Sequence, residues 1–303
     1  MRDGYQTTLR RAATLSGIGV HSGAPANLRI LPASAEYGIW FKRTDAAKGR
    51  DVMIPALYDC VVDARLNTRI GNPDGMTVST IEHLMAALGG AGISNALIEI
   101  DGPEVPILDG SAAPFLEAIL AAGVQVLSAP ARRLRVLETV EVADGPALAR
   151  LEPVAKDAFE MAFEITFPDA AIGHQTRAET ITPACFAMTL ANSRTFGRAE
   201  DVAALRAAGL ALGGSLDNAV VVEGARVLNP GGFRHSDECV RHKMLDAVGD
   251  LALAGAPIAG RYTGVRAGHA MTNALLRALF ARPTAWRLET LEAAPAAAVI
   301  AAE

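Results

Sequence analysis

A histidine and an aspartate four positions apart form the strongest chemical pattern in the chain. His242 and Asp246 lie in the segment His242-Lys243-Met244-Leu245-Asp246. Positions i and i+4 of a helix lie on one face, close enough to share one metal ion. Asp250 continues this row, and the apolar residues of the segment gather on the opposite arc. The alternative is that the polar face is merely exposed to solvent.

A third metal ligand is available from the first half of the chain. His83 lies at the start of a predicted helix, in Ser79-Thr80-Ile81-Glu82-His83-Leu84. If the two halves are related by a pseudo-twofold axis, the helix N-termini meet at a cleft and bring His83 near His242 and Asp246. Three protein ligands plus a position for water are usual for catalytic zinc, whereas structural zinc normally has four. For His83 alone, a buried or capping histidine is the alternative.

Two further residues have the chemistry of a proton acceptor and a proton donor. Glu82 adjoins His83 and is placed to take a proton from water at the metal; the alternative is a capping box, Ser79-x-x-Glu82. His269, flanked by Gly268, is a candidate donor to a leaving group, with Asp250 orienting its ring. A glycine-flanked histidine in a turn is otherwise incidental.

A hydroxyl and an ammonium group complete the set of candidate site residues. Thr195, in Ser193-Arg194-Thr195-Phe196-Gly197, offers a hydroxyl that can donate to an oxyanion. Lys243 adjoins His242 and presents a point charge to an anionic group near the metal. The alternative for each residue alone is that Thr195 is an ordinary loop threonine and Lys243 an ordinary surface lysine, with no role in a site.

The elements that must position these residues form two similar halves. The first half is predicted to end with a helix at 80–88 that breaks at Gly89-Gly90, a strand at 96–100 and a helix at 113–122. The second ends with a helix at 238–253, a strand at 259–265 and a helix at 270–281. Chance similarity of short alanine-rich helices is the alternative to duplication.

These patterns predict an α+β fold of two similar two-layer α/β sandwich domains, with the active site in the cleft between them. The domains are predicted at 1–128 and 132–303, joined by the linker Ser128-Ala129-Pro130-Ala131.

Composition excludes several classes of protein. The 303 residues include 28 Lys+Arg and 33 Asp+Glu, which gives a formal charge of −5. Without a run of basic residues, nucleic acid is not expected as a partner. The cysteines Cys60, Cys185 and Cys239 have no C-x-x-C spacing and predict neither a disulfide framework nor a thiolate zinc site. No stretch reaches the length of a transmembrane helix, so we expect a cytoplasmic protein, and a monomer.

Six motifs, in their order along the chain, resemble those of the UDP-3-O-acyl-N-acetylglucosamine deacetylases, the zinc amidases of lipid A biosynthesis. The resemblance runs from about Thr7 to Phe280. The motifs are Gly19-Val20-His21-Ser22-Gly23, Ser79-Thr80-Ile81-Glu82-His83-Leu84, Glu104-Val105-Pro106-Ile107-Leu108-Asp109-Gly110-Ser111-Ala112, Arg194-Thr195-Phe196-Gly197, Arg241-His242-Lys243-Met244-Leu245-Asp246 and Gly268-His269-Ala270.

The resemblance implies a site that removes the acetyl group from a UDP-linked, acylated N-acetylglucosamine. It implies that His83, His242 and Asp246 bind Zn²⁺. Glu82 is the implied general base, and His269 the general acid, oriented by Asp250. Thr195 is implied to hold the substrate carbonyl or its oxyanion.

The resemblance also implies how the rest of the substrate is bound. Lys243 is expected beside the diphosphate, and Phe196 and Gly214 among the substrate-binding residues. The acyl chain is expected in an apolar passage formed partly by a small β-rich insert of the second domain, at about 214–228. The motifs assign no role to His21.

Two other functions stay open from the sequence. One is a zinc-dependent hydrolase of a different amide, with the same metal ligands but another pocket. The other is a nucleotide-sugar binding protein with a structural metal, which requires a fourth protein ligand.

Overall fold

Two halves of similar topology make up the described part of the chain, residues 4–47 and 49–292 of a computed structural model. The predicted domain bounds 1–128 and 132–303 therefore extend beyond it at both ends. In the first half, a five-stranded sheet has the order β2-β3-β9-β4-β5, and α2 packs against both β2 and α1. Its elements are β1 (Tyr5–Leu9), β2 (Ala13–Ile18), β3 (Pro25–Pro32), β4 (Ile39–Arg43), β5 (Met53–Pro55), β6 (Val61–Asp63), β7 (Arg69–Gly71), β8 (Thr77–Val78), α1 (Glu82–Ala91), β9 (Ala96–Ile100), α2 (Ala113–Ala122) and β10 (Val124–Pro130).

The second half is built around a seven-stranded sheet in which β12, β13, β19, β11 and β20 follow one another and β14 and β15 branch from β19. Its elements are β11 (Arg132–Val136), β12 (Val140–Asp144), β13 (Ala147–Glu152), β14 (Phe159–Thr166), β15 (His174–Thr180), α3 (Pro183–Cys185), β16 (Phe196–Arg198), α4 (Ala199–Ala207), β17 (Val220–Glu223), β18 (Arg226–Val227), α5 (Glu238–Ala252), β19 (Ile258–Val265), α6 (His269–Phe280) and β20 (Trp286–Thr290). None of the helices described here is long and apolar enough to cross a membrane.

The strand pairings of the two halves correspond. In the first half, β9 pairs antiparallel with β3 and parallel with β4. In the second half, β19 pairs antiparallel with β13 and parallel with β14. Each of these central strands is preceded by one long helix and followed by another, as the sequence predicts. The α+β class is confirmed, and the matching topology supports an internal duplication.

Three predicted boundaries differ from the structure. Helix α1 does not break at Gly89-Gly90 but ends at Gly92, whose φ of 72° is left-handed. Gly90 instead makes room for the Phe186 ring, because a Cβ there would lie 2.1 Å from it. The predicted linker is paired with β1 as part of β10 up to Pro130. The predicted insert is larger than 214–228, because β16 and α4 join β17 and β18 in one unit.

The two halves meet where α1 crosses α5. Gly249, near the C-terminal end of α5, lies against the first turn of α1, and a Cβ built there would lie 2.0 Å from the Glu82 carbonyl oxygen. Such a contact forces backbone or side chains to move. The absence of a side chain at Gly249 therefore sets how closely the two helices approach.

We expect Gly249→Ala to lower the free energy of unfolding by about 1–3 kcal/mol through this overpacking, measured by urea denaturation. Gly89→Ala is the matched control, since its Cβ would lie 3.9 Å from Ala252 Cβ in ordinary contact. That variant should be neutral or stabilised by up to about 1 kcal/mol, because alanine is the better helix former. Equal losses in both variants would contradict the close-approach explanation.

A group of charges ties β20 to β11. Glu289 accepts hydrogen bonds from Arg135 Nε at 2.8 Å, from Arg133 Nη2 at 3.0 Å and from Arg287 Nη2 at 2.5 Å. Hydrogen bonds from Arg135 and then Arg287 lower the pKa of Glu289 to about 2. Because the folded pKa is depressed, the stabilisation is present above the unfolded pKa and is lost as pH falls toward 2.

Glu289→Gln should reduce the free energy of unfolding by about 1 kcal/mol at neutral pH, a value typical of a partly exposed ionic network. The difference from the parent should shrink as pH falls from about 4.5 toward 2, since protonation then removes the same charge from the parent. Urea unfolding at several pH values measures this. Glu117→Gln, at an exposed position of α2, should show no such pH-dependent difference.

Candidate metal centre and active site

The three predicted metal ligands come together at the crossing of α1 and α5. His83 lies in the first turn of α1, and His242 and Asp246 lie one turn apart on α5. Asp246 Oδ1 is 3.4 Å from His83 Nε2 and 3.3 Å from His242 Nε2. All three side chains are buried, and one ligand atom from each lies within 4.8 Å of the others. Residues separated by more than 150 positions therefore form a single cluster.

The cluster fits a tetrahedral metal ion. Two ligand atoms bonded to such an ion at about 2.0–2.1 Å lie about 3.3–3.4 Å apart, which matches both distances to Asp246 Oδ1. This oxygen is buried and has no hydrogen-bond partner. A buried carboxylate oxygen without a partner is costly unless a proton or a cation satisfies it. The group can therefore hold a metal ion.

The surroundings favour the metal-binding states of His242 and Asp246. His242 Nδ1 lies 3.0 Å from the Ser193 carbonyl oxygen, which accepts a hydrogen bond from Nδ1–H and leaves Nε2 to face the cluster. Burial lowers the pKa of His242 to about 3. Burial alone would raise the pKa of Asp246, but His242 and Lys243 hold it well below its usual range. Neutral imidazoles and an ionised carboxylate are the forms that bind metal.

Glu82 does not serve as a capping box. The residue before α1 is Ile81, and no side chain caps the helix. The Glu82 carboxylate instead accepts a hydrogen bond from Thr68 N at 2.9 Å, and the Ser79 hydroxyl accepts one from Arg69 Nε. Burial raises the pKa of Glu82. A buried carboxyl beside a metal ligand is a suitable proton acceptor.

His269 and Asp250 form a buried pair on the α6 side of the cluster. His269 is the first residue of α6, not part of an open turn, and its Nδ1 lies 2.9 Å from Asp250 Oδ2. Its Nε2 is 3.9 Å from Asp246 Oδ2 and so faces the metal ligands. Burial alone would lower the pKa of His269, but the charge of Asp250 raises it to about 9.

The structure gives the contacts of the other predicted site residues, which are Lys243, Phe196, Thr195 and Gly214. Lys243 Nζ donates to Asp246 Oδ2 at 2.8 Å and lies 5.8 Å from the centre of the Phe196 ring. Phe196 in turn packs edge-on against His242, with ring centres 6.1 Å apart. The Thr195 backbone is fixed by Gly110 and Val220. Gly214 lies in a turn and donates to Ala211 O. Substrate binding by these residues stays a prediction.

The turn that contains His21 is fixed by a buried carboxylate. Glu104 accepts hydrogen bonds from His21 N and Ser22 N at 2.9 and 2.8 Å, and from the Thr80 hydroxyl at 3.0 Å. Glu104 also approaches Gly19 closely, since a Cβ there would lie 2.2 Å from Glu104 Oε2. The same turn bonds to the second half, where Leu212 N donates to His21 O. His21 therefore belongs to a contact between the halves at the site.

Two residues that shape the site, Thr68 and Gly249, were not predicted from the sequence. Thr68 donates to both Glu82 and Asp250, and Gly249 allows the helix crossing. A glycine within a strongly predicted helix is a weak signal of close packing. No local signal distinguishes Thr68 from any other polar residue that precedes a strand.

Known proteins are similar in sequence to this chain over nearly its whole length. The family model for UDP-3-O-acyl N-acetylglycosamine deacetylase matches residues 6–281. A protein of Phenylobacterium zucineum named UDP-3-O-acyl-N-acetylglucosamine deacetylase is 51% identical over 286 residues, 94% of this chain and 97% of that protein. Proteins with the same name from Shewanella woodyi and Shewanella oneidensis are each 43% identical, over 288 and 290 residues, which cover 95% of this chain and 94% of theirs.

Removal of one ligand should abolish tight metal binding. We expect His83→Ala and Asp246→Asn each to weaken Co²⁺ binding by more than about 100-fold. Mutation of a residue that only hydrogen-bonds to a metal ligand already lowers metal affinity by about 10–100-fold, and loss of a ligand should cost more. Titration of the metal-free protein, followed by Co²⁺ absorption, measures this. His174→Ala is the control, because His174 is exposed and pairs with Glu164. Unchanged affinity in His83→Ala would remove His83 from the site.

Proposed function

The chain belongs to the family of UDP-3-O-acyl N-acetylglycosamine deacetylases, and from this premise we propose that it hydrolyses the acetamido group of UDP-3-O-acyl-N-acetylglucosamine. The products are UDP-3-O-acyl-glucosamine and acetate, in a step of lipid A biosynthesis. The observation that carries this proposal is the buried His83, His242 and Asp246 cluster, with Glu82 next to His83 on α1 and His269 facing Asp246.

We propose zinc as the metal. Its bond lengths to histidine and carboxylate suit the separations around Asp246 Oδ1, and the described residues contribute three ligands to the group, the number typical of catalytic zinc. Bound there, Zn²⁺ supplies a Lewis acid for the carbonyl oxygen and lowers the pKa of water.

Glu82 acts as the general base in this proposal. It takes a proton from the attacking water, and its raised pKa makes it a better acceptor than an exposed carboxylate. Its hydrogen bond from Thr68 N fixes the carboxylate beside the metal ligands. The buried surroundings exclude other water from competing for that proton.

His269 acts as the general acid. An amine leaves a tetrahedral intermediate only when it is protonated, so a positioned proton donor is required. Asp250 bonds to Nδ1 and favours the protonated ring, which leaves Nε2 to donate to the departing nitrogen. Thr195 is proposed to hold the carbonyl oxygen as negative charge develops on it.

The remaining residues bind the substrate in this proposal. Lys243 is partly exposed beside Phe196, where its charge is placed for the diphosphate, and Gly214 lies in the turn that precedes β17. Near this turn, three leucines of the insert region, Leu212, Leu216 and Leu228, are exposed. An exposed apolar surface of this kind suits an acyl chain.

We also propose that the protein is a cytoplasmic monomer. Cys60, Cys185 and Cys239 are free thiols in the structure, as expected in a reducing compartment. Light scattering during gel filtration should give a mass close to the 31.6 kDa of the chain.

Glu82→Gln and His269→Ala should each lower kcat by about 10²–10⁴-fold, because each removes one proton-transfer group. Release of acetate from UDP-3-O-acyl-N-acetylglucosamine measures the rate. Both variants should keep their metal content and unfolding curve, and His174→Ala should keep full activity. Normal turnover in either variant would reject the assigned roles.

The same assay tests the alternative that the protein is a zinc-dependent hydrolase of a different amide. The parent should act poorly on UDP-N-acetylglucosamine without the 3-O-acyl chain. Equal rates on both compounds would indicate a metal-dependent hydrolase of a different amide.

A further inference from the structure

Thr68 lies between two of the charged groups of the site and is fixed by its backbone to the first half. Thr68 N donates to Glu82 Oε2 at 2.9 Å, and Thr68 O accepts from Ile81 N at 3.3 Å. The neighbouring Asn67 side chain accepts from Thr80 N at 3.4 Å. These contacts hold Thr68 against the start of α1, whichever side chain the residue carries.

The side chain of Thr68 reaches the other half of the molecule. Its hydroxyl donates to Asp250 Oδ1 on α5 at 2.5 Å. The other oxygen, Asp250 Oδ2, pairs with His269 Nδ1. Thr68 is 2% exposed and Asp250 3%, so water does not readily replace this hydroxyl. Each carboxylate oxygen of Asp250 therefore has its own protein partner.

We propose that Thr68 is a positioning residue that joins the general base of the first half to the general acid of the second. The inference rests on the proposed function. Through its amide it orients Glu82, and through its hydroxyl it fixes the rotation of the Asp250 carboxylate and so the orientation of the His269 ring. Thr68 acts only through these groups and does not itself transfer a proton to the substrate.

The proposal assigns the effect to the hydroxyl alone. Thr68→Val has nearly the same shape but leaves Asp250 Oδ1 buried without a donor. Thr68→Ser keeps the donor and loses only a methyl group. Both variants keep the amide bond to Glu82, so a difference between them reports on the hydroxyl bond to Asp250.

We expect Thr68→Val to lower kcat by about 10–100-fold, the usual effect of removing a hydrogen-bond partner behind a site residue, with KM changed by less than about 3-fold. Thr68→Ser should stay within about 3-fold of the parent, and metal content should be full in both. Thr8→Val is the matched control, since Thr8 is also 2% exposed and bonds a backbone carbonyl, that of Asn95. If Thr68→Val does not fold, Thr68→Ala takes its place with the same expectation.

A double-mutant cycle with Asp250→Asn tests whether Thr68 acts through Asp250. In the Asp250→Asn background, the added Thr68→Val change should cost less than about 3-fold in kcat, because coupled residues are not additive. The proposal would be overturned if the kcat loss of the double variant equalled the product of the losses of the two single variants, as expected for independent residues. An active Thr68→Val, an inactive Thr68→Ser, or a kcat that falls only in proportion to lost metal would also overturn it.

The proposal and the proposed function fail in different ways. A parent enzyme that loads metal but does not deacetylate UDP-3-O-acyl-N-acetylglucosamine rejects the function. A parent that deacetylates it, together with a Thr68→Val variant of equal kcat, rejects only the role of Thr68.

Discussion

The close crossing of α1 and α5 is the constraint on which the site depends. Each helix belongs to a different half, and Gly249 on α5 lies directly against the Glu82 carbonyl of α1. The next residue on α1 is His83, so the same contact that packs the helices brings this histidine to His242 and Asp246. A larger residue at Gly249 would separate the helices, and the ligand atoms would lose their common centre.

The second requirement is a balance of charge inside a buried site. Lys243 bonds to Asp246, Asp250 bonds to His269, and Thr68 bonds to both Asp250 and Glu82. Asp246 Oδ1 is left without a donor, facing the two imidazoles. In a low-dielectric interior unpaired polar atoms are costly, so this pattern is stable with a cation between the three ligands. The same bonds orient the side chains before substrate arrives, which is the basis of electrostatic preorganisation.

Residues with strong local patterns were predicted correctly. The amphipathic row of α5, the strand at 96–100 and the paired order of helix, strand and helix all follow from periodicity, because burial of one face imposes that period. Predictions failed where a distant segment decides the local structure. Gly89-Gly90 signals a helix end, yet the helix continues to Ala91, and Gly90 lies where the Phe186 ring packs against it. Ser79 and Glu82 match a capping box, yet neither side chain caps the helix. The Glu82 carboxylate accepts from Thr68 N, and the Ser79 hydroxyl accepts from Arg69 Nε.

The sequence by itself determined the helical spacing of His242, Asp246 and Asp250, the two-part organisation and, through its motifs, the family. These are properties of neighbouring residues, and neighbours on one helix keep fixed relative positions. The meeting of His83 with His242 and Asp246 was predicted from the matching halves and the motifs, but its distances depend on the tertiary structure. Only the tertiary structure shows that His269 faces Asp246 and that Thr68 connects Glu82 to Asp250. Those contacts join residues far apart in the chain, and their distances depend on how two packed helices and their sheets fit together.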